Sequence, residues 1–201
     1  SSRGFVMFTG IVAATGKITH LQPLEEGLRL TVAAPGLNLK DVALGDSIAH
    51  SGVCLTVIAK KKNAYQVDVS KETLNCTVGL DKLNGEVNLE KAMRLSDFIG
   101  GHLVSGHVDG VGEVVRFDKL GESHELVIAA PKKLAKYIAR KGSVTVDGVS
   151  LTTNKVKGRT FSINLIPHTV AVTTLKRLHP GAQVNLEVDL IARYVERMLR
   201  P

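Results

Sequence analysis

Gly52-Val53-Cys54-Leu55-Thr56 returns as Gly148-Val149-Ser150-Leu151-Thr152, 96 residues further along a chain of 201. The same offset carries Gly10-Ile11-Val12 and Gly16-Lys17-Ile18 onto Gly106-His107-Val108 and Gly112-Glu113-Val114, Ala33-Ala34-Pro35 onto Ala129-Ala130-Pro131, and Thr73 onto Thr169. With one residue inserted, Val87-Asn88-Leu89-Glu90 then meets Val184-Asn185-Leu186-Glu187. Ordered agreement at this many stations marks a duplicated unit, and a repeat decides architecture before any single element does.

Within each copy, short runs such as Leu28-Arg29-Leu30-Thr31-Val32 and Gln66-Val67-Asp68-Val69 alternate apolar with polar residues and are punctuated by Gly, Pro, Asn or Asp. Alternation of period two puts one set of side chains on each face of a strand, and short strands of this kind close into small antiparallel barrels. The sequence therefore predicts an all-β protein: two similar six-stranded Greek-key barrels in tandem, residues 7–97 and 98–188, and a C-terminal helix over 189–201. Residues 1–6 precede Met7, match nothing in the second copy, and read as an extension or an expression remnant.

Ser96-Asp97-Phe98-Ile99 reads as a turn between the copies, and Pro131 as the first residue of a helix reaching Ala139. Asp189 is placed to cap the terminal helix, in which Ile191, Tyr194, Val195, Met198 and Leu199 recur at helical spacing. Either this stripe docks on the chain's own barrel or it packs against the same helix of other subunits.

An apolar content of 44% is ample for packed cores, and 22% charged residues with no long apolar run predict no spanning helix. With no leader pattern, the chain reads as a soluble cytoplasmic protein. Cys54 and Cys76 are the only cysteines and lie in no metal-type spacing, so reduced thiols and no metal site are expected. Basic residues exceed acidic ones by 26 to 19, which raises a polyanion partner, but they are scattered and 4% aromatics with no Trp offer few stacking platforms. Nucleic acid is therefore not the expected partner.

The copies differ where chemistry is most natural. Cys54 becomes Ser150: a thiolate is nucleophilic near neutral pH, whereas a serine needs a base. A small buried strand residue is the alternative for Cys54. His107 replaces Ile11, giving one copy a titratable group suited to proton transfer. His102, outside the aligned block, reads as structural. Asp189 can cap a helix and orient a nucleophile at once; Lys141 follows the helix that Pro131 opens and can complement its C-terminus.

Met7-Phe8-Thr9-Gly10-Ile11-Val12, Gly52-Val53-Cys54-Leu55-Thr56, the run Gly100-Gly101-His102-Leu103-Val104-Ser105-Gly106-His107-Val108-Asp109-Gly110, Asp147-Gly148-Val149-Ser150-Leu151-Thr152, Ile166-Pro167-His168-Thr169, Val184-Asn185-Leu186-Glu187-Val188-Asp189 and Ala192-Arg193-Tyr194-Val195-Glu196-Arg197 resemble, in order and spacing, the riboflavin synthase family of the lumazine-binding, duplicated-barrel type. The resemblance covers residues 7 to about 199. Two places depart from it: Ser51 stands where Asn is common, and Ala13-Ala14 where acids are common.

This resemblance implies a cofactor-free transferase that dismutates two molecules of 6,7-dimethyl-8-ribityllumazine, both held in one site, to riboflavin and a ribitylamino-pyrimidinedione by moving a four-carbon unit. It implies catalytic roles for Ser47, Cys54, His107 and Asp189, and substrate contacts from Phe8, Gly52, Thr56, Gly106, Lys141, Gly148, Ser150, Thr152, Ile166 and Thr169. It also implies a homotrimer, association with lumazine synthase in some organisms, and a plastid form if the source is a plant. A relative that holds lumazine or flavin without turning it over is the alternative.

Overall fold

Leu30 and Val32 are fully buried while the residues between and before them are only half-buried, the period-two pattern of a strand with one face on a core. In the computed structural model, which describes residues 6–199, such segments form twelve strands. Residues 1–5 of the expected extension and residues 200–201 of the terminal segment lie outside the described residues.

β1 (Ala14–Leu24), β2 (Gly27–Ala33), β3 (Ser47–His50), β4 (Val53–Lys60), β5 (Ala64–Ser70) and β6 (Glu86–Lys91) close into one antiparallel barrel in the order β1-β2-β5-β4-β3-β6. β7 (Gly110–Leu120), β8 (Ser123–Ala129), β9 (Ser143–Val146), β10 (Val149–Lys157), β11 (Thr160–Leu165) and β12 (Gln183–Val188) close into a second with the same connectivity. The correspondence reaches local irregularities: register shifts fall between Ile18 and His20 and, at the same repeat position, between Val114 and Arg116. Closure leaves no open edge, which suits sheets this small.

The cores are also copies. Ile18, Leu30, Val32, Ile48, Val67 and Leu89 fill the first barrel, and Val114, Leu126, Ile128, Val144, Ile163 and Leu186 fill the second. One pair breaks the pattern: His50 and Tyr65 meet through Nε2 and the phenol oxygen at 2.7 Å inside the first barrel, where the second has Val146 and Phe161.

The barrels join at two tight turns. Ser51-Gly52 and Asp147-Gly148 have φ of 45° and 89°, and 47° and 77°, the type I′ combination that tight hairpins favour. A Cβ on Gly148 would stand 2.6 Å from the Gly52 nitrogen, so the two turns lie back to back. Asn88 Nδ2 donates to the Asp147 carbonyl and Asn185 Nδ2 to the Ser51 carbonyl. Ser51, one of the two departures from the family pattern, is therefore part of this joint, and its Oγ accepts from the Asn88 N–H at 3.1 Å.

Two short helices were not expected: α1 (Lys71–Cys76), whose Ser70 cap accepts from the Thr73 N–H, and its repeat α2 (Pro167–Val172), with Pro167 in its first turn. The segment after Pro131 is helical only over Lys132–Tyr137 and is a 3-10 helix with Pro131 at its cap, because its bonds span three residues, as from the Leu134 N–H to the Pro131 carbonyl. α3 (Leu190–Leu199) is capped by Asp189, whose Oδ1 accepts from the Ile191 N–H at 3.0 Å. It turns its polar side to the second barrel, with Arg193 paired to Asp109 and Glu196 bonded to Lys136 and Tyr137. Ile191, Tyr194, Val195, Met198 and Leu199 are left exposed, all but Val195 by at least 70%.

Candidate active site

On β3 and β4 the inward residues Ile48, Val53, Leu55 and Val57 join the core, so Ser47, Ala49, Cys54 and Thr56 face outward. Pairing sets Ser47 against Thr56 and Ala49 against Cys54. On β9 and β10 the same logic leaves Ser143, Thr145, Ser150 and Thr152 outward, with Ser143 against Thr152 and Thr145 against Ser150. Each barrel thus presents a small outward patch: Ser47 and Thr56 recur as Ser143 and Thr152, while Ala49 and Cys54 of the first stand against Thr145 and Ser150 of the second.

Neither patch is completed by its own copy. The segment before β1 crosses to the second barrel, where the Gly10 carbonyl accepts from the Ser150 N–H at 2.7 Å; the segment before β7 crosses to the first, where the Gly106 carbonyl accepts from the Cys54 N–H at 2.9 Å. Both crossings require glycine, because a Cβ would lie 2.5 Å from the Ser150 Cβ at Gly10 and 2.7 Å from the Cys54 Cβ at Gly106. Phe8 pairs with Val104 between the two segments and is wholly buried beside Ala49 and Cys54.

His102, read from sequence as structural, lies against the second patch. Its Nδ1 lies 2.7 Å from the Ser150 Oγ, and its backbone N–H donates to the Thr9 carbonyl at 3.1 Å. Burial pushes its pKa below the usual histidine value, while the Asp189 charge pulls the other way. The imidazole and the serine hydroxyl are hydrogen-bonded, and the ring tautomer decides which of the two donates. The structure therefore brings Ser150, His102 and the charge of Asp189 into one neighbourhood.

The remaining expected residues fall in distinct places. His107 is exposed on the crossed segment and its N–H donates to the Ser105 Oγ, so in this chain its ring faces solvent as Ile11 does in the other copy. Lys141 is exposed in a left-handed turn before β9. Ile166 is exposed at the N-cap of α2, and the Thr169 carbonyl accepts from the Oγ1 of Thr173, the C-cap of that helix. Gly52 and Gly148 belong to the inter-barrel joint and touch each other, not an outward patch. Ser143 was missed, although it repeats Ser47. Glu90 and Glu187 were read only as repeat markers; an acid recurring at one position of two otherwise buried strands was the available signal. Among the described residues no group of His, Cys, Asp or Glu is disposed to hold a metal ion.

Two repeat-related yet unlike outward patches on two closed barrels of one connectivity define a class, the duplicated-barrel protein. Known proteins give that class its family. The chain matches the lumazine binding domain over residues 9–92 and again over 105–189. It is 46% identical to riboflavin synthase of Photobacterium phosphoreum over 194 residues, 96% of this chain and 89% of that one, and 42% identical to riboflavin synthase of Bacillus subtilis across 96% and 90% of the two chains. Its fold is similar to crystal structures of LumP complexed with riboflavin (TM-score 0.81) and with 6,7-dimethyl-8-(1'-D-ribityl) lumazine (TM-score 0.80), each 25% identical and covering 90% of this chain and 98% of that chain. The chain belongs to the riboflavin synthase family of lumazine-binding-domain proteins.

Proposed function

We propose that the protein is a riboflavin synthase: a transferase that takes two molecules of 6,7-dimethyl-8-ribityllumazine, moves a four-carbon unit from one to the other, and releases riboflavin and 5-amino-6-ribitylamino-pyrimidinedione. The observation that carries this reading is the inequality of two patches that share their Ser and Thr positions, Cys54 beside Ala49 in one and the Ser150–His102 pair beside Thr145 in the other. A donor and an acceptor of identical structure need alike binding surfaces and unlike reactive groups.

In this account Ser47 and Thr56 beside Cys54, and Ser143 and Thr152 beside Ser150, hold ring carbonyls and ribityl hydroxyls. His102, neutral because it is buried, takes the proton lost from the acidic ring methyl of one lumazine, directly or through the Ser150 hydroxyl, and Asp189 stabilises the imidazolium that results. Cys54 adds to, or directs addition to, the ring of the other molecule. The lumazine is its own electron sink, so no cofactor is invoked. Holding both rings in attack geometry replaces a bimolecular encounter and supplies about 7–11 kcal/mol of the barrier reduction. His107, Lys141, Ile166 and Thr169 are proposed to close over the substrate.

The exposed stripe of α3 supports assembly, for which a homotrimer is proposed, and association with lumazine synthase in some organisms is an extension of the same reading. Among the described residues no helix is long and apolar enough to cross a membrane; a cytoplasmic location is proposed. Incubation with the lumazine tests the function: appearance of flavin absorbance supports a synthase, bound lumazine that persists unchanged supports a passive carrier, and no binding removes both.

A further inference from the structure

Two buried carboxylates are not used by the chemistry above. Glu90 on β6 and Glu187 on β12 are 8% and 1% exposed. Glu90 Oε1 accepts from the Thr9 N–H at 2.7 Å and the Thr9 Oγ1 at 2.6 Å, and its Oε2 from the Gly10 N–H at 3.0 Å. Glu187 does the same one copy on: Oε1 accepts from the Ser105 N–H at 2.7 Å and the Ser105 Oγ at 2.8 Å, and Oε2 from the Gly106 N–H at 3.0 Å. Each carboxylate thus grips two consecutive N–H groups of one crossed segment, and each segment ends its crossing on the other barrel.

We infer that each glutamate is a positioning residue for the half-site of the opposite barrel: Glu90, in the first barrel, sets Ser150 and His102, and Glu187, in the second, sets Cys54. The connections are short. Glu90 fixes Thr9-Gly10, whose carbonyls receive the backbone N–H groups of His102 and Ser150; Glu187 fixes Gly106, whose carbonyl receives the N–H of Cys54. A buried acid costs desolvation unless hydrogen bonds compensate it, and here burial raises both carboxyls while the segment donors oppose it. A hydrophobic residue would fill these sites at lower desolvation cost but could hold neither N–H. A glutamine keeps the shape, yet its single carbonyl oxygen serves one side and its NH2 then confronts the N–H of Gly10 or Gly106.

This separates wiring from packing. A residue that merely stabilises its barrel disturbs its own half-site, whereas a positioning residue of this kind disturbs the other. The structural part is independent of the synthase reading; only the kinetic consequence rests on it.

The test uses full-length protein carrying Glu90→Gln or Glu187→Gln, with amide NMR spectra and steady-state turnover of the lumazine. Beyond the gripped segment itself and the cross-strand neighbours of each glutamate, Glu90→Gln is expected to shift the Ser150 and His102 amides more than that of Cys54, and Glu187→Gln to do the reverse. Misplacement of reacting groups is costly, so Glu90→Gln should lower kcat by about tenfold to a hundredfold with a smaller change in KM. Glu90→Asp and Glu187→Asp, which keep the carboxylate, give the same comparison should a glutamine variant fail to fold. Shifts at Cys54 as large as those at Ser150 in the Glu90 variants would overturn the inference. A wild-type protein that makes no flavin would remove the synthase reading, and the amide pattern would still decide the positioning role.

Discussion

His102 Nδ1 sits 2.7 Å from Ser150 Oγ, although the two residues are 48 positions apart and one lies in the inter-barrel connection while the other opens β10. The pair joins a hydroxyl of the outward patch to an imidazole whose pKa burial pushes below the usual histidine value. Ser150→Ala and His102→Gln should each lower kcat by about a hundredfold or more, the usual range for a lost proton-transfer group. The double variant should be little worse than either single one, because the residues act as a unit. Since the imidazole must be unprotonated to work, activity should persist to pH values below the ordinary histidine range, as a pH–rate profile would reveal.

The thiol is the second reactive group. Cys54→Ser keeps volume and hydrogen bonding but removes the nucleophile, so it should lose far more turnover than lumazine affinity in paired kinetic and binding titrations. If Cys54 serves only packing, the loss stays under about tenfold, roughly 1.4 kcal/mol in the barrier. Ser150→Cys should not rescue Cys54→Ser, because His102 adjoins only the second patch.

How much of this was legible in sequence depended on whether a signal is local. The offset of 96 residues, the alternating runs of β2 and β5, and the spacing of Ile191, Tyr194 and Met198 are local periodicities, and they gave two barrels and a helix. α1 and α2 are six residues each, too short for a helical period to emerge; Ser70 before Thr73 and Pro167 were the only cues. Crossing of the Gly10 and Gly106 segments could not be read, since both copies carry the same block and nothing along the chain says which barrel receives it. The contact of His102 with Ser150 could not be read for the same reason: the partner is distant in sequence.

His50 makes the first barrel acid-sensitive. Burial pushes its pKa down to about 4, from 6.5 for an unperturbed histidine, although its Nε2 is bonded to the Tyr65 phenol. Between these values the unfolded chain binds the extra proton, so His50 stabilises the fold fully above pH 6.5 and that contribution, about 3 kcal/mol, is lost as pH falls through 4. The raised carboxyls of Glu90, Glu187 and Asp147 act in the opposite sense as pH falls. The variant that isolates the histidine is His50→Val with Tyr65→Phe, which copies Val146 and Phe161 of the second barrel. Denaturant unfolding from pH 7 to pH 4 should show a smaller loss of stability on acidification in this variant than in the wild type.

α3 spends its polar residues on the second barrel and leaves its apolar stripe outward, so the stripe is available to other copies of the chain. Deletion of residues 190–201 should yield monomers from a trimer in sedimentation velocity, without unfolding either barrel. Full-length protein that sediments as a monomer would contradict the assembly proposal.

A dismutation between two identical molecules held by unlike half-sites is measured directly by its stoichiometry. Dialysed protein incubated with 6,7-dimethyl-8-ribityllumazine alone should, by chromatography and mass spectrometry, consume two lumazines for each riboflavin and release one ribitylamino-pyrimidinedione. Flavin formed one for one, flavin that requires an added co-reactant, or lumazine that stays bound and unchanged would contradict it.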